Sequence, residues 1–308
     1  MAGVSFRASE VANKRKTYFL LGGMGLLVGL VVYAALTYFG KGTAGIVPIA
    51  VGIALISIWG SYYSSDTIVL RMTGAREIQA GDNPNLFNLI QEVTIASGLP
   101  MPKVAIVEDD APNAFATGRN PEHAVIAFTT GILNVMDRDQ LQGVVAHEMS
   151  HVGNRDTLVS AVAATTAGAI AILSDILTRM MWFGGGRRDN RDNNSNPIAL
   201  VLSLVILILA PIAALLLKSA ISRRREALAD ATAVAFTRNP AGLRSALEVL
   251  ARDSTVVKQR STAVAHIWIE SPLDGKSVSR LFATHPPIEE RIAALRAMEN
   301  LGPNSLNS

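Results

Sequence analysis

The chain has 308 residues, of which 49% are apolar and 17% are charged. This composition is too apolar for an ordinary soluble protein and indicates membrane-spanning segments. The formal net charge of +3 is too small a basic excess to predict a nucleic-acid-binding protein. The sequence contains no cysteine, which excludes disulfides, thiol catalysis and cysteine-ligated zinc. Any metal site would therefore need His, Asp or Glu ligands.

Two uncharged stretches near the N-terminus predict a transmembrane helical hairpin over residues 17–63. Residues 17–39 carry no charged side chain, and the second uncharged stretch, 43–63, follows after three residues. Each stretch is long enough to cross about 30 Å of hydrocarbon at roughly 1.5 Å per residue. The preceding segment, 1–16, is expected to lie in the cytosol.

Residues 64–156 predict the first part of a water-soluble domain that contains a small sheet. Residues 103–107 and 124–128 have the apolar and β-branched composition of strands. A turn signal at 109–113 lies between them and is followed by a short additional strand at 114–118.

Helices are predicted on both sides of this sheet. Residues 84–96 have the pattern of an amphipathic helix. A second helix is predicted to begin near Asp137, with Gln140 three residues later as in a capping box, and to continue through His151.

A second apolar hairpin is predicted over residues 157–217. Its first stretch begins at 157–174 and continues to 183, a glycine-rich polar loop occupies 184–196, and the second stretch, 197–217, has no charge. A buried hairpin inside a soluble domain is the alternative, although the last stretch is too uniformly apolar for it.

The second part of the soluble domain is predicted over residues 218–300 and is mostly helical, with a disordered tail at 301–308. Lys and Arg residues near the span ends predict that both termini face the cytosol. In that orientation twelve basic residues flank the inner span ends and five flank the outer ones.

An HExxH motif, His147 to His151, carries the strongest chemical signal. On a helix, the two imidazoles lie one turn apart on one face and can bind one zinc ion. Glu148 between them can then reach a water molecule at the metal. The alternative is a polar helix face with two ordinary histidines.

A catalytic zinc site needs a third protein ligand and one open position. Glu226 is the best candidate for this ligand, and Asp230, one turn later, could accept a hydrogen bond from a ligating imidazole. From these residues alone, a solvated helix surface beside neighbouring arginines is an equally good interpretation of the two carboxylates.

Four passages together, in this order, resemble the HtpX-type membrane metalloproteases, bacterial relatives of the CAAX prenyl endopeptidases. The passages are Pro112 to Ala116, His147 to Asp156, Arg225 to Asp230, and Thr284 to Pro287 with Arg291. One departure is Leu228, where the family often has an aromatic residue.

The resemblance implies an α+β, mostly α fold: an integral membrane protein with four transmembrane helices and a gluzincin-like protease domain on the cytosolic side. It implies that His147, His151 and Glu226 bind one zinc ion per chain. It further implies that Glu148 is the general base and acid, and that Asp230 supports a ligating histidine from outside the ligand set.

Three other positions follow from the same resemblance. Asn113 and its strand are expected to lie along bound substrate. His285 is expected to face the catalytic centre and to help hold the substrate or the developing oxyanion. His123 and His266 match no family motif and are expected to be structural.

The predicted function is zinc-dependent hydrolysis of peptide bonds in misfolded or membrane-associated proteins, as in quality control during stress. The expected location is the cell membrane, crossed several times, with lipid and membrane-protein substrates as partners and no nucleic acid. The alternatives are a prenyl-protein (CAAX-type) endopeptidase and a non-catalytic zinc-containing membrane adaptor. If helix continues from His151 to residue 157 and between residue 217 and Glu226, the zinc lies within about 15 Å of the bilayer.

Overall fold

A computed structural model describes residues 62–165, 223–253, 255, 267–269 and 287–301, with scattered positions between residues 11 and 60. The four predicted membrane spans lie largely outside these residues, as do the 184–196 loop and residues 302–308. Among the helices within the described residues, none has the length and apolar character needed to cross a membrane.

The described part of the chain contains one four-stranded sheet in the order β1-β2-β4-β3. β2 and β4 are parallel, whereas β1 pairs with β2 and β3 pairs with β4 in antiparallel fashion. The strands predicted from the sequence are confirmed, including the short one after the turn, and β1 is an addition. Their bounds are Arg76–Ile78 for β1, Lys103–Val107 for β2, Ala114–Thr117 for β3 and Val125–Thr129 for β4.

Seven described helices with defined bounds accompany the sheet, and both helices predicted within residues 64–156 are confirmed. The described residues after 218 are also mostly helical, as the sequence predicts. The helices are α1 (Ser65–Thr73), α2 (Pro84–Ser97), α3 (Thr130–Val135), α4 (Arg138–Gly153), α5 (Arg223–Thr237), α6 (Pro240–Arg252) and α7 (Ile288–Leu301).

Both faces of the sheet are covered by other parts of the chain, and all five residues of β4 are accordingly buried. Successive side chains of a strand point to opposite faces. One face packs in the core that includes α2 and α4, through Val104, Ala114, Ala116, Ile126 and Phe128. The other packs against α1, helical residues 161 and 164 and Trp268, through Ala105, Val107, Phe115, Val125 and Ala127.

Helix α4 begins at the predicted capping box and contacts α2, α5, α6 and β3. The Asp137 side chain accepts from the Gln140 N–H at 2.9 Å, and the Gln140 side chain accepts from the Asp137 N–H at 3.1 Å. These bonds satisfy two backbone donors that the first turn leaves free. The helix can therefore begin in a fixed register.

Helix does not continue from His151 to residue 157, so the condition attached to the estimated distance between zinc and bilayer is not met. Helix α4 ends at Gly153, and Arg155 adopts a left-handed conformation with φ of 57° before helix resumes at Asp156. A left-handed residue cannot propagate a right-handed helix. The chain therefore changes direction between the HExxH motif and residue 157.

Glycine at position 143 allows α4 and α6 to approach closely. A Cβ atom at Gly143 would lie 2.6 Å from the backbone N and Cα of Leu243. Both atoms belong to helix backbone, so they cannot rotate away as a side chain would. The glycine therefore sets the distance between the two helices.

We predict that Gly143→Ala lowers the midpoint of thermal unfolding in detergent. Alanine favours helix by about 1 kcal/mol over glycine. Overpacking costs about 1–3 kcal/mol, and a clash with backbone belongs at the upper end. Gly81→Ala is the matched control, because a Cβ there meets nothing within 4 Å. A midpoint for Gly143→Ala at or above that of the control would contradict this account of the helix contact.

Candidate functional site

The middle of α4 brings two imidazoles and one carboxylate into the protein interior. His147 and Glu148 are buried, and the His151 side chain is 15% exposed. The Nε2 atoms of the two histidines are 3.2 Å apart, as expected for residues one turn apart on one helix face. The two rings therefore present the same nitrogen to a common point.

Glu226, in the first turn of α5, brings a carboxylate to this point. Its Oε2 lies 3.7 Å from Nε2 of His147, and its Oε1 lies 3.7 Å from Nε2 of His151. The three ligand atoms all lie within 4.8 Å of one another. Tetrahedral zinc with bonds of about 2.0–2.1 Å separates its ligand atoms by roughly 3.3 Å. The three side chains thus fit a metal ion of this kind, and no fourth His, Asp or Glu of the described residues belongs to the group.

The charge of the surrounding cluster also fits a divalent cation. Four carboxylates lie within it, from Glu148, Asp156, Glu226 and Asp230, and all four are largely buried. Among the described residues, two guanidinium groups, from Arg225 and Arg291, contact these carboxylates. Among these described groups, the carboxylates therefore outnumber the guanidinium groups by two. An excess of buried carboxylates favours the binding of a cation.

His147 is held from behind by Asp230 of α5. Its Nδ1 lies 2.9 Å from Oδ1 of Asp230, which leaves Nε2 directed at the candidate metal position. The buried guanidinium of Arg291 in α7 donates to both Asp230 oxygens, at 2.9 and 2.7 Å. The predicted interaction between Asp230 and a ligating imidazole is therefore present in the geometry.

His151 contacts a second carboxylate, that of Asp156, to which the sequence assigned no role. Its Nδ1 lies 3.0 Å from Oδ2 of Asp156, and Oδ1 of Asp156 lies 3.5 Å from Nη1 of Arg225. Nδ1 of each imidazole thus contacts an aspartate, and each of these two aspartates contacts one arginine. Such contacts fix the tautomer and orientation of a metal ligand.

Burial and neighbouring charges act differently on the pKa values of the two histidines. Burial and the charge of Arg291 lower the pKa of His147 to about 4, so this ring is neutral at neutral pH. Burial also opposes protonation of His151, but its bond to Asp156 and the nearby Glu226 carboxylate raise its pKa to about 9. A proton on His151 compensates part of the negative charge that a metal ion would also compensate. A metal ion bound to this ring would displace the proton.

The carboxyl group of Glu148 is poised for proton transfer. Burial raises its pKa to about 7, with a further contribution from the charge of Glu226. The backbone of Ala116 in β3 forms a hydrogen bond to this carboxyl group, which favours the ionised form. A group whose pKa lies near neutrality can both accept and return a proton.

Strand β3 lies at the edge of the described sheet and contacts α4. The Asn113 carbonyl points toward β4, where it accepts from the Thr129 N–H at 3.0 Å, so the next residue, Ala114, points the other way. At this outer edge, the Ala114 carbonyl accepts from the Ile269 N–H at 2.9 Å. The outward-facing backbone acceptor two residues before Ala116 is therefore already paired within the chain.

Asn113 is buried directly before β3, and its side-chain oxygen accepts from the Ala114 N–H at 3.0 Å. His285 and His266 lie outside the described residues. His123 is exposed and contacts Asn120, as expected for a structural histidine.

Three residues at the site received no role from the sequence. Asp156, Arg225 and Arg291 all belong to the motif passages, but the sequence assigned none of them a role at the metal site. The structure places all three within reach of the histidines or their carboxylates. A buried arginine requires an acidic partner, but sequence spacing alone does not identify that partner.

Comparison with known proteins agrees with this geometry. The family model "Peptidase family M48" matches residues 80–299. A "Protease HtpX homolog" of Thermoanaerobacter pseudethanolicus is 44% identical over 291 residues, which cover 94% of this chain and 96% of that protein. A protein of the same name from Dictyoglomus turgidum is 42% identical over 298 residues, 97% of this chain and 96% of its own.

Among solved structures, that of S. mikatae Ste24p has a TM-score of 0.49 and 19% identity, covering 95% of this chain and 67% of the other. The family model spans well over half of the chain, and the curated relatives span nearly all of it. The predicted resemblance to HtpX-type proteases is thereby confirmed. The chain belongs to peptidase family M48 and is a metallopeptidase.

Proposed function

We propose that this metallopeptidase is a zinc endopeptidase embedded in the cell membrane, and that it cleaves membrane-associated or misfolded proteins at the cytosolic face. The observation that carries the proposal is the convergence of two imidazole Nε2 atoms and the Glu226 carboxylate beside the buried Glu148. His147, His151 and Glu226 would hold the zinc ion. The open side of this set would admit water and substrate.

A zinc ion in this site would lower the pKa of a water molecule and polarise the scissile carbonyl group. Glu148 lies between the two histidine positions on the same helix and has a pKa of about 7. Its carboxylate accepts a proton from the attacking water and then returns that proton to the leaving amine. The Asp230 and Asp156 contacts keep Nδ1 of each histidine protonated and Nε2 free to bind.

The outer edge of β3 supports recognition of an extended substrate. An extended peptide can add to a sheet edge through its main chain, largely irrespective of its sequence. The Ala114 carbonyl contacts Ile269, and the Ala116 backbone contacts Glu148. Both groups lie on the same outer side of β3. A substrate that used the Ala114 carbonyl would have to displace the Ile269 N–H. In this proposal Asn113 lies along the substrate and His285 supports the oxyanion, as the family resemblance implies.

Exposed apolar side chains support membrane embedding. Described positions of the predicted first hairpin expose large apolar or aromatic side chains that have no place on a water-facing helix. They are Tyr18, Phe19, Leu26, Leu55, Ile56 and Trp59, each at least 60% exposed. Tyr63, which is 47% exposed, lies at the end of the hairpin, and its ring is 4.9 Å from that of Trp59. Trp and Tyr are enriched at membrane–water interfaces.

Short contacts support a site close to this interface. The Arg119 guanidinium lies 5.2 Å from the centre of the Tyr63 ring and donates to the Tyr63 carbonyl at 3.3 Å. Arg119 lies two residues beyond β3. The Thr157 hydroxyl donates to the Gly118 carbonyl at 3.1 Å. The substrate-binding strand is therefore tied to the ends of both predicted membrane hairpins.

The first test is the response of the full chain in detergent to metal and to Glu148→Gln. Protein purified with chelator should hydrolyse casein only after zinc is added. Glu148→Gln should bind zinc equally but lose at least about 100-fold in rate, because a proton acceptor has been removed. Zinc-dependent hydrolysis that persisted in Glu148→Gln would remove Glu148 from the mechanism. Zinc binding without hydrolysis in the unsubstituted chain would favour a structural metal site.

The second test concerns the membrane. One unfolded substrate is offered to the protease in lipid vesicles, either fused to a membrane anchor or as a soluble chain. The anchored form should be cleaved at least about tenfold faster, because anchoring raises its effective concentration at the site. Glu148→Gln in the same vesicles controls for contaminating proteases. Equal rates for the two forms would contradict a site specialised for membrane-associated substrates.

A further inference from the structure

We propose that Asp156 is a positioning residue for the metal centre, and that Asp156 and Arg225 together clamp the two ends of the second hairpin around it. The inference rests on the zinc site proposed above and assigns new roles to two residues outside the ligand set. Asp156 directly precedes the predicted hairpin at 157–217, and Arg225 follows it on α5. Their contact therefore joins its entry to its exit.

The contacts are those of a support for one ligand. Oδ2 of Asp156 lies 3.0 Å from Nδ1 of His151, and Oδ1 of the same carboxylate faces Nη1 of Arg225 at 3.5 Å. The Asp156 side chain is 5% exposed and that of Arg225 is 12% exposed. Because little solvent reaches either group, the carboxylate cannot turn away without leaving a charge poorly solvated.

The break after α4 is what makes this contact possible. On a continuous helix, a residue five positions after His151 would lie about 140° around the axis, facing away from the imidazole. Instead, the Asn154 N–H bonds to the Ser150 carbonyl, the Arg155 N–H bonds to the Val152 carbonyl, and Arg155 takes a left-handed conformation. The chain turns back, and Asp156 reaches the ring.

The arrangement mirrors the one on His147. There, Asp230 contacts Nδ1 of the ring and Arg291 contacts the carboxylate. The two aspartate–arginine pairs connect different parts of the chain. The pair on His147 reaches α7 through Arg291, whereas the pair on His151 reaches α5 through Arg225, the residue before Glu226. Loss of the Asp156–Arg225 contact would therefore loosen His151 and also the first turn of α5, which carries the third ligand.

A purely structural role for Asp156 predicts different behaviour. Asp156 is the first residue of a helix that is described as far as residue 165. A carboxylate at the N-terminus of a helix stabilises that helix whether or not a metal is bound. Such a role would lower thermal stability without a specific effect on the metal. Metal affinity and the spectrum of a bound metal distinguish the two roles.

The experiment measures zinc affinity of the full chain in detergent by competition with a chelator, together with the visible absorption of the cobalt-substituted protein. Asp156→Ala should weaken zinc binding about 10–100-fold and shift the cobalt bands, since the ring is no longer oriented. Asp156→Asn should lose less, because its amide oxygen can still accept from Nδ1–H. Asp139→Asn, an exposed position on the same helix as His151, is the matched control and should equal the unsubstituted chain.

Arg225→Gln should weaken zinc binding several-fold, and this effect should vanish in an Asp156→Ala background if Arg225 acts through Asp156. Asp156→Ala and Asp156→Asn with zinc affinities and cobalt spectra equal to the Asp139→Asn control would overturn the proposal. So would an Arg225→Gln effect that adds fully to that of Asp156→Ala. If His151→Ala bound zinc as tightly as the unsubstituted chain, the zinc site itself would be wrong.

Discussion

Buried negative charge is the constraint on which the catalytic region depends. Four carboxylates and two guanidinium groups meet around two imidazoles, and nearly all of these groups are shielded from water. Buried charge is costly unless it is compensated, so a cation between the imidazoles and Glu226 would stabilise this arrangement. The groups come from α4, the start of the helix that follows it, α5 and α7. A bound cation would thus help to hold four separate parts of the chain together.

The sequence predicted those features whose geometry is local. The HExxH spacing places both imidazoles on one helix face, and Asp137 with Gln140 marks where that helix begins. Apolar and β-branched composition indicated the strands of the small sheet. The lack of cysteine restricted the candidate third ligand to a carboxylate or an imidazole; Glu226 was the best candidate, and the family resemblance supported it. Its approach to both histidines is now evident in the structure.

Features that depend on irregular backbone or tertiary packing could not be predicted in this way. The proposed role of Asp156 requires a left-handed residue at Arg155, which the sequence pattern did not predict. Arg291 reaches Asp230 from a helix more than 50 residues further along the chain. The pairing of Ile269 with Ala114 joins an irregular segment to the sheet edge. In the proposed mode of substrate binding, that pairing occupies an acceptor that an extended substrate would use.

The most direct test of the metal centre is diffraction from crystals of the zinc-loaded protein, recorded on both sides of the zinc absorption edge. The account predicts one anomalous peak at about 2.0–2.2 Å from Nε2 of His147, Nε2 of His151 and a carboxylate oxygen of Glu226, with no fourth protein ligand. A peak away from these three atoms, or a fourth side chain that closes the coordination, would contradict it.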